Sequence, residues 1–339
     1  MKKLACVVMV LVMALTLGAC GGTTEPTEPT APPVAPPVTP PTQPVPAAPA
    51  RTYALPGGSV FPEGVAYDPT RNIFFTGSTN DGTIFRGDLG SGEVKVFSAG
   101  GSDGRTAAIG MKVDAKTRRL WVCGGGTGQV FVYNADTGAL IRKYSTPAAA
   151  DTFLNDVAIA PNGDAYITDS RRPVLFRIGG AAAEPGELES WLDLTGTIIQ
   201  YTSGATNLNG IVITQAGAYM IVVHSSAQKL YRISLTGREV WEINLGGVAQ
   251  GGDGMVLDGN TLYVLARTQT SDGIVRIQLT PTYASGTIKD TFRDESFAFP
   301  TTIAKVDGRM LVVNSQFNAR SAGQEPKLPF TVSDIPIPP

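Results

Sequence analysis

The sequence predicts an all-β protein, a six-bladed β-propeller of four-stranded blades, and three observations carry that expectation. A unit of 44 to 54 residues recurs six times between Arg51 and Pro339, a period that fits a propeller and almost nothing else. Each unit holds a short apolar, β-branched run ending in a small or polar pair, as in Asn72–Ser78 (NIFFTGS), Asp164–Ser170 (DAYITDS) and Arg309–Ser315 (RMLVVNS). The two ends of the repeat region are complementary. After the sixth such run only one strand-like stretch remains, Phe330–Ile337, and Arg51–Leu55 ahead of the first unit can supply the missing strand. An unclosed ring would leave a bare sheet edge open to aggregation.

The elements follow in order. First strands open at Glu63, Gly110, Asn155, Asn209, Asp253 and Thr301. Each meets its second strand across residues that supply tight-hairpin backbone angles, such as Asp68-Pro69, Pro161-Asn162-Gly163 and Asp307-Gly308. The remaining second strands are Arg119–Gly125, Ala218–Ser225 and Thr261–Arg267. Third strands read at Gly128–Ala135, Pro173–Ile178, Lys229–Leu235 and Gly273–Leu279, and more polar fourth strands at Leu188–Leu194 and Glu239–Leu245. No amphipathic helix is expected in the domain. The 39 glycines and 17% charged residues suit a turn-rich β architecture.

Ahead of the propeller, residues 1–20 read as an export signal: Lys2-Lys3, an apolar stretch from Leu4 to Leu17, then Gly18-Ala19. The apolar run is short for a spanning helix. Leu17-Gly18-Ala19-Cys20 resembles the lipobox of bacterial lipoproteins, which implies cleavage before Cys20 and its acylation. Residues 21–50 carry eleven prolines among Thr, Glu, Ala and Val, a composition that buries no core and favours extended polyproline II. At about 3.1 Å per residue such a tether reaches on the order of 90 Å. The expected location is therefore the bacterial cell envelope, on its periplasmic or extracellular face. The formal charge of −2 becomes more negative once Lys2 and Lys3 are removed. With no basic patch, nucleic acid is not an expected partner. Once Cys20 is acylated, Cys123 is the sole remaining cysteine of the mature chain and belongs to an apolar strand, so it reads as core.

Chemistry resides in the strand openings. Four of the six carry an oxygen-bearing side chain, Glu63, Asn155, Asn209 and Asp253, and a propeller gathers equivalent positions of its blades around one axis. Two carboxylates and two amide oxygens suit a hard divalent cation, Ca²⁺ first, with Mg²⁺ or Mn²⁺ behind. Zn²⁺ ranks last because it usually recruits His or Cys. Taken singly, Asn-Gly, Asn-Asp and Asp-Gly also serve as entry turns, but four oxygen donors in register on one edge are harder to ascribe to turns.

The segments Phe61–Pro69 (FPEGVAYDP), Leu154–Ser170 (LNDVAIAPNGDAYITDS), Asn207–Ile213 (NLNGIVI) and Gly252–Leu257 (GDGMVL) resemble those of the senescence-marker-protein/gluconolactonase/luciferin-regenerating-enzyme family. That family is six-bladed and related in architecture to diisopropyl-fluorophosphatase and the paraoxonases. The resemblance implies a metal in the central tunnel held by Glu63, Asn209 and Asp253, with Asn155 as a further ligand or a substrate contact. A bound divalent cation makes hydrolysis of a lactone, ester or similar small molecule the natural reaction, with Asp253 as first candidate for the base and Glu63 second. Gluconolactonase-like members present an arginine near the second-blade opening. The nearest here is Arg105, five residues before Gly110 on a Gly-rich loop.

His224, the only histidine, ends a second strand together with Asp169, Arg267 and Asn314 in the other blades. Antiparallel strands return these ends to the ligand-bearing face, so they are expected to ring the entrance. His224 is a candidate substrate contact or proton shuttle. Trp121, Trp191 and Trp241 read as packing between blades, and Gly100-Gly101 and Gly124-Gly125-Gly126 as turns. A second function class stands beside the hydrolase: a non-catalytic propeller whose metal is structural and whose face binds a protein or glycan. The protein is expected to be a monomer.

Overall fold

The computed structural model describes residues 50–147, 151–180, 186–267 and 272–337. The expected signal segment, Cys20 and all of the tether except its final residue lie outside the described residues, as do the side chains of Arg267 and Asp272. Twenty-four strands form six antiparallel four-stranded blades, the six-bladed propeller that the repeat predicts. The innermost strands of the blades, in order, are Pro62–Asp68, Met111–Asp114, Leu154–Ile159, Leu208–Ile213, Met255–Asp258 and Pro300–Val306. Outward from each, the second strands are Ile73–Ser78, Arg119–Cys123, Ala165–Asp169, Tyr219–His224, Thr261–Arg267 and Arg309–Asn314.

The ring closes as the two chain ends suggest. Arg51–Leu55 pairs antiparallel with Phe330–Pro336, from Arg51 opposite Asp334 to Leu55 opposite Phe330, and becomes the outer strand of the sixth blade. Asp334 is the polar clasp of this seam. Its carboxylate accepts from Arg51 Nε at 2.8 Å, from Tyr53 OH at 3.2 Å and from Arg309 Nε at 2.6 Å. Burial of Tyr53, with the Asp334 charge beside it, pushes its phenol up to about 12.

Strand alternation places successive side chains on opposite faces of a blade, so one run feeds two seams. Phe74 packs toward the sixth blade with Tyr53, Val313 and Phe330, whereas Phe75 packs toward the second with Leu120, Val122 and Phe131. The described residues contain six such apolar clusters, one for each blade-to-blade seam. Cys123 is fully buried in the seam between blades two and three. Burial pushes its thiol well up. Trp121 and Trp191 are buried in seams, whereas Trp241 is half-exposed with the Arg232 guanidinium 4.8 Å from its ring centroid.

Two elements depart from the expected pattern. Gly186–Glu187 adds a short parallel strand to the outer edge of the second blade. A five-residue helix, Phe317–Ser321, interrupts the connection between the second and third strands of the sixth blade. Its sequence, FNARS, is too short to show a 3.6-residue apolar period. Tertiary contacts hold it instead: Gln316 at its start donates from Nε2 to Lys327 O and accepts from Lys327 N, both at 2.7 Å.

Candidate metal centre in the central tunnel

Glu63, Asn155, Asn209 and Asp253 all line one cavity of about 590 Å³. All four are nearly buried, between 4% and 6% exposed. Thr79, Ala107, Ile109, Phe153, Thr206, Phe317, Arg320 and Ser321 complete its wall.

A shared backbone feature accompanies three of these four side chains. The innermost strands of blades one, three and four break register between Pro62 and Val65, Leu154 and Val157, and Leu208 and Ile211. Each β-bulge falls on the oxygen-bearing residue, where an extra residue re-aims a side chain out of the regular alternation. The glycine that follows is dictated by crowding at the hub. A Cβ on Gly64 would lie 2.2 Å from Ile109 O, one on Gly210 2.4 Å from Asp253 O, and one on Gly254 2.7 Å from Thr302 Cα. The Glu-Gly, Asn-Gly and Asp-Gly pairs thus combine a cavity-lining oxygen with a glycine that leaves room for the adjacent blade.

The third blade carries Asp156 where the first, fourth and fifth carry glycine. Its Oδ1 accepts from Val157 N at 2.8 Å and its Oδ2 reaches the fourth blade to accept from Ile211 N at 3.2 Å. Burial pushes this carboxyl up to about 6, opposed by Lys112. Asp156 is the residue next to the site that sequence reasoning passed over. The Asn-Asp pair contained the signal, because an acid replacing a hub glycine has to find polar partners.

The two asparagines are oriented alike. Asn155 Nδ2 donates to Ser170 Oγ at 2.9 Å and Asn209 Nδ2 donates to Ser225 Oγ at 3.2 Å. Both serines pass the contact on, Ser170 to Leu208 O and Ser225 to Gly252 O, each at 2.6 Å. These relays engage the amide nitrogens and leave the oxygens as the remaining polar atoms. Asn155 Oδ1 is buried and accepts no hydrogen bond, a condition that costs about 1 to 3 kcal/mol unless something fills it. A site of two carboxylates and two such amide oxygens fits a hard divalent cation. Among the described residues no group of three or more His, Cys, Asp and Glu side chains assembles, so the donor set is oxygen-rich and mixed rather than of the zinc type.

Arg105 and His224 do not reach this cavity. Arg105 is fully buried, although Ala107 and Ile109 of the same loop line the wall. Its guanidinium donates to Gly82 O at 2.6 Å, to Ser98 Oγ at 2.8 Å and to Tyr133 OH, tying blade one to blade two. Burial drives its pKa down and drives the Tyr133 phenol up to about 12. The expected substrate role of Arg105 is therefore replaced by a seam role: the Gly-rich loop turns the side chain inward, where carbonyls and hydroxyls satisfy it.

His224 is likewise buried, with Nε2 3.1 Å from Gln200 O and Nδ1 accepting from Ala227 N at 3.1 Å. A ring nitrogen that accepts from a backbone N–H is held in the neutral tautomer, and burial lowers the pKa. Asp169 and Asn314 are also fully buried, under residues 152–153 and 298. The expected ring around the entrance is corrected at these three positions, because blade-to-blade connections fold over the second-strand ends. The mouth is formed instead by Thr79 and by the short helix with Phe317, Arg320 and Ser321.

No protein-family model and no curated protein sequence matches the chain. Solved structures do. The major allergen Mala s 1 of Malassezia sympodialis superposes with a TM-score of 0.61 at 15% identity, over 84% of this chain and 95% of that one. A gluconolactonase of Xanthomonas campestris gives a TM-score of 0.58 at 14% identity, covering 85% and 90%. Regucalcin of Agrobacterium tumefaciens, a calcium-binding protein, gives 0.58 at 15% identity, covering 83% and 95%. At these identities the likeness is one of fold, and the six-bladed propeller is what the chain shares with gluconolactonase and regucalcin structures.

Proposed function

We propose that the chain is a metal-dependent hydrolase of lactones, esters or similar small molecules. The buried Asn155 Oδ1, facing no hydrogen-bond donor in a wall shared with Glu63, Asn209 and Asp253, carries this reading. Glu63, Asn155, Asn209 and Asp253 would hold the cation, with Ca²⁺ favoured by an all-oxygen set of two acids and two amides. A bound divalent cation supplies Lewis-acid polarisation of the substrate carbonyl and acidifies water.

The remaining work belongs to the chain. Asp253 takes a proton as a water oxygen bonds to the acyl carbon, then returns it to the ring or alcohol oxygen as the C–O bond breaks. Glu63 is the alternative base. Ile109, Phe153 and Phe317 give the cavity an apolar lining that receives the substrate's carbon skeleton and limits water. Asn155 and Asn209 stay fixed through Ser170 and Ser225 and need no reorganisation during turnover. Fold likeness to a gluconolactonase and to regucalcin supports the reading without fixing substrate or ion.

As an extension of this proposal, Cys20 carries the lipid that anchors the propeller in the bacterial envelope, with residues 21–50 as spacer. The enzyme acts there as a monomer.

The test is hydrolysis of lactones and aryl esters by residues 51–339, after chelation and re-addition of Ca²⁺, Mg²⁺, Mn²⁺ or Zn²⁺, beside Asp253→Ala. Metal-restored turnover that the variant lacks is expected. If turnover is absent but metal raises the melting temperature of the parent and not of the variant, the ion is structural and the face is a binding surface for a protein or glycan.

A further inference from the structure

Among the described residues Arg320 is the only cationic side chain in the wall of the site cavity. It comes from the helix Phe317–Ser321, an element of the sixth blade outside the four-strand repeat. Its Nη1 donates to Thr79 Oγ1 of the first blade at 3.0 Å, and Thr79 Oγ1 donates onward to Phe61 O at 2.8 Å. The guanidinium carbon lies 5.4 Å from the Phe61 ring centroid. Among the described residues no carboxylate pairs with it, and its hydrogen bond to Thr79 leaves most of its five N–H donors available.

The surroundings of Arg320 hold it in place while leaving the charge uncompensated. The Gln316–Lys327 pair closes the base of the loop with two hydrogen bonds, and Phe317 packs on Phe299 with ring centroids 6.4 Å apart. Arg320 is itself solvent-exposed, and the Phe61 ring and the Thr79 hydroxyl hold its fork at the cavity wall. Arg118 and Arg309, by contrast, are matched to acids, Arg118 to Asp68 and Asp136 and Arg309 to Asp334. In the cavity the acids are Glu63 and Asp253, which the proposed function assigns to the cation.

We propose that Arg320 reads a carboxylate on the substrate, so that the enzyme selects lactones or esters bearing an acid group apart from the scissile acyl carbon. The inference rests on the hydrolase reading. A planar guanidinium matches a carboxylate through paired N–H bonds, and the cavity of about 590 Å³ accommodates a compact molecule with an acyl group at one end and an acid at the other. The apolar wall between accepts a short carbon chain rather than a fully hydroxylated one. Arg320 thereby takes the recognition position that the buried Arg105 does not occupy.

The test compares γ-valerolactone with γ-carboxy-γ-butyrolactone, which differ by a methyl against a carboxylate, on the parent, Arg320→Gln and Arg320→Lys. The parent is expected to favour the carboxylated lactone in kcat/KM. Arg320→Gln should lower kcat/KM for that substrate at least about tenfold more than for the neutral one, through KM, as expected for loss of a charged hydrogen-bonded pair. Arg320→Lys should restore part of the preference. An unchanged ratio in Arg320→Gln overturns the proposal. If the parent hydrolyses neither lactone, the hydrolase reading fails for these substrates, and calorimetry with the ring-opened anions 2-hydroxyglutarate and 4-hydroxyvalerate decides the arginine separately. A preference for 2-hydroxyglutarate that Arg320→Gln abolishes supports acid recognition, and equal binding by parent and variant overturns it.

Discussion

Single side chains of one type take opposite roles here according to what the backbone turns them toward. Asn155 and Asn209 present oxygens to the tunnel because serines at the ends of the adjacent second strands hold their nitrogens. Ser170→Ala removes the acceptor of Asn155 and the donor to Leu208 O in one step. It should weaken Ca²⁺ binding about 10- to 100-fold, the usual effect of losing a partner that orients a ligand. Calorimetric titration of Ca²⁺ checks this, and an unchanged affinity would detach Asn155 from the ion.

His224 belongs to the same scale. Its pKa is depressed from 6.5 by burial, so the folded chain resists protonation while the unfolded chain protonates freely. The stability it contributes is complete above pH 6.5 and is lost as pH falls from there toward the folded-state pKa. Melting temperatures between pH 8 and 5 should fall more steeply for the parent than for His224→Gln, and parallel curves would show that the imidazole is not the source.

At the scale of elements, the departures from the repeat give the site its shape. The four-stranded blade is local and legible, because alternating apolar residues and hairpin turns occur within each unit. The helix Phe317–Ser321 is not, since its five residues owe their conformation to Gln316, Lys327 and Phe299. Closure of the sixth blade joins residues nearly the whole domain apart and concentrates on Asp334. Asp334→Ala leaves Arg309 and Tyr53 without their shared acceptor in a largely buried seam. It is expected to cost about 2 to 4 kcal/mol, read as a shift in urea midpoint. A loss below about 0.5 kcal/mol would place the strength of the seam in its apolar contacts instead, as surface pairs behave.

At the scale of the whole molecule, the ring converts a periodic sequence into a single centre. Each unit supplies one innermost strand, and in blades one, four and five crowding at the hub calls for glycine behind the oxygen-bearing residue, at Gly64, Gly210 and Gly254. The sequence alone determined the six-bladed closure by Arg51–Leu55 and singled out Glu63, Asn155, Asn209 and Asp253, since both rest on spacing and on strand-period chemistry that each unit carries within itself. Tertiary structure decided the rest. It buried Arg105 and His224 under connections whose path no local pattern encodes, set Asp156 across a seam, and brought Arg320 from the sixth blade over the first. Those outcomes depend on which loops lie over which strand ends, and that is fixed only when all six seams pack and the ring shuts.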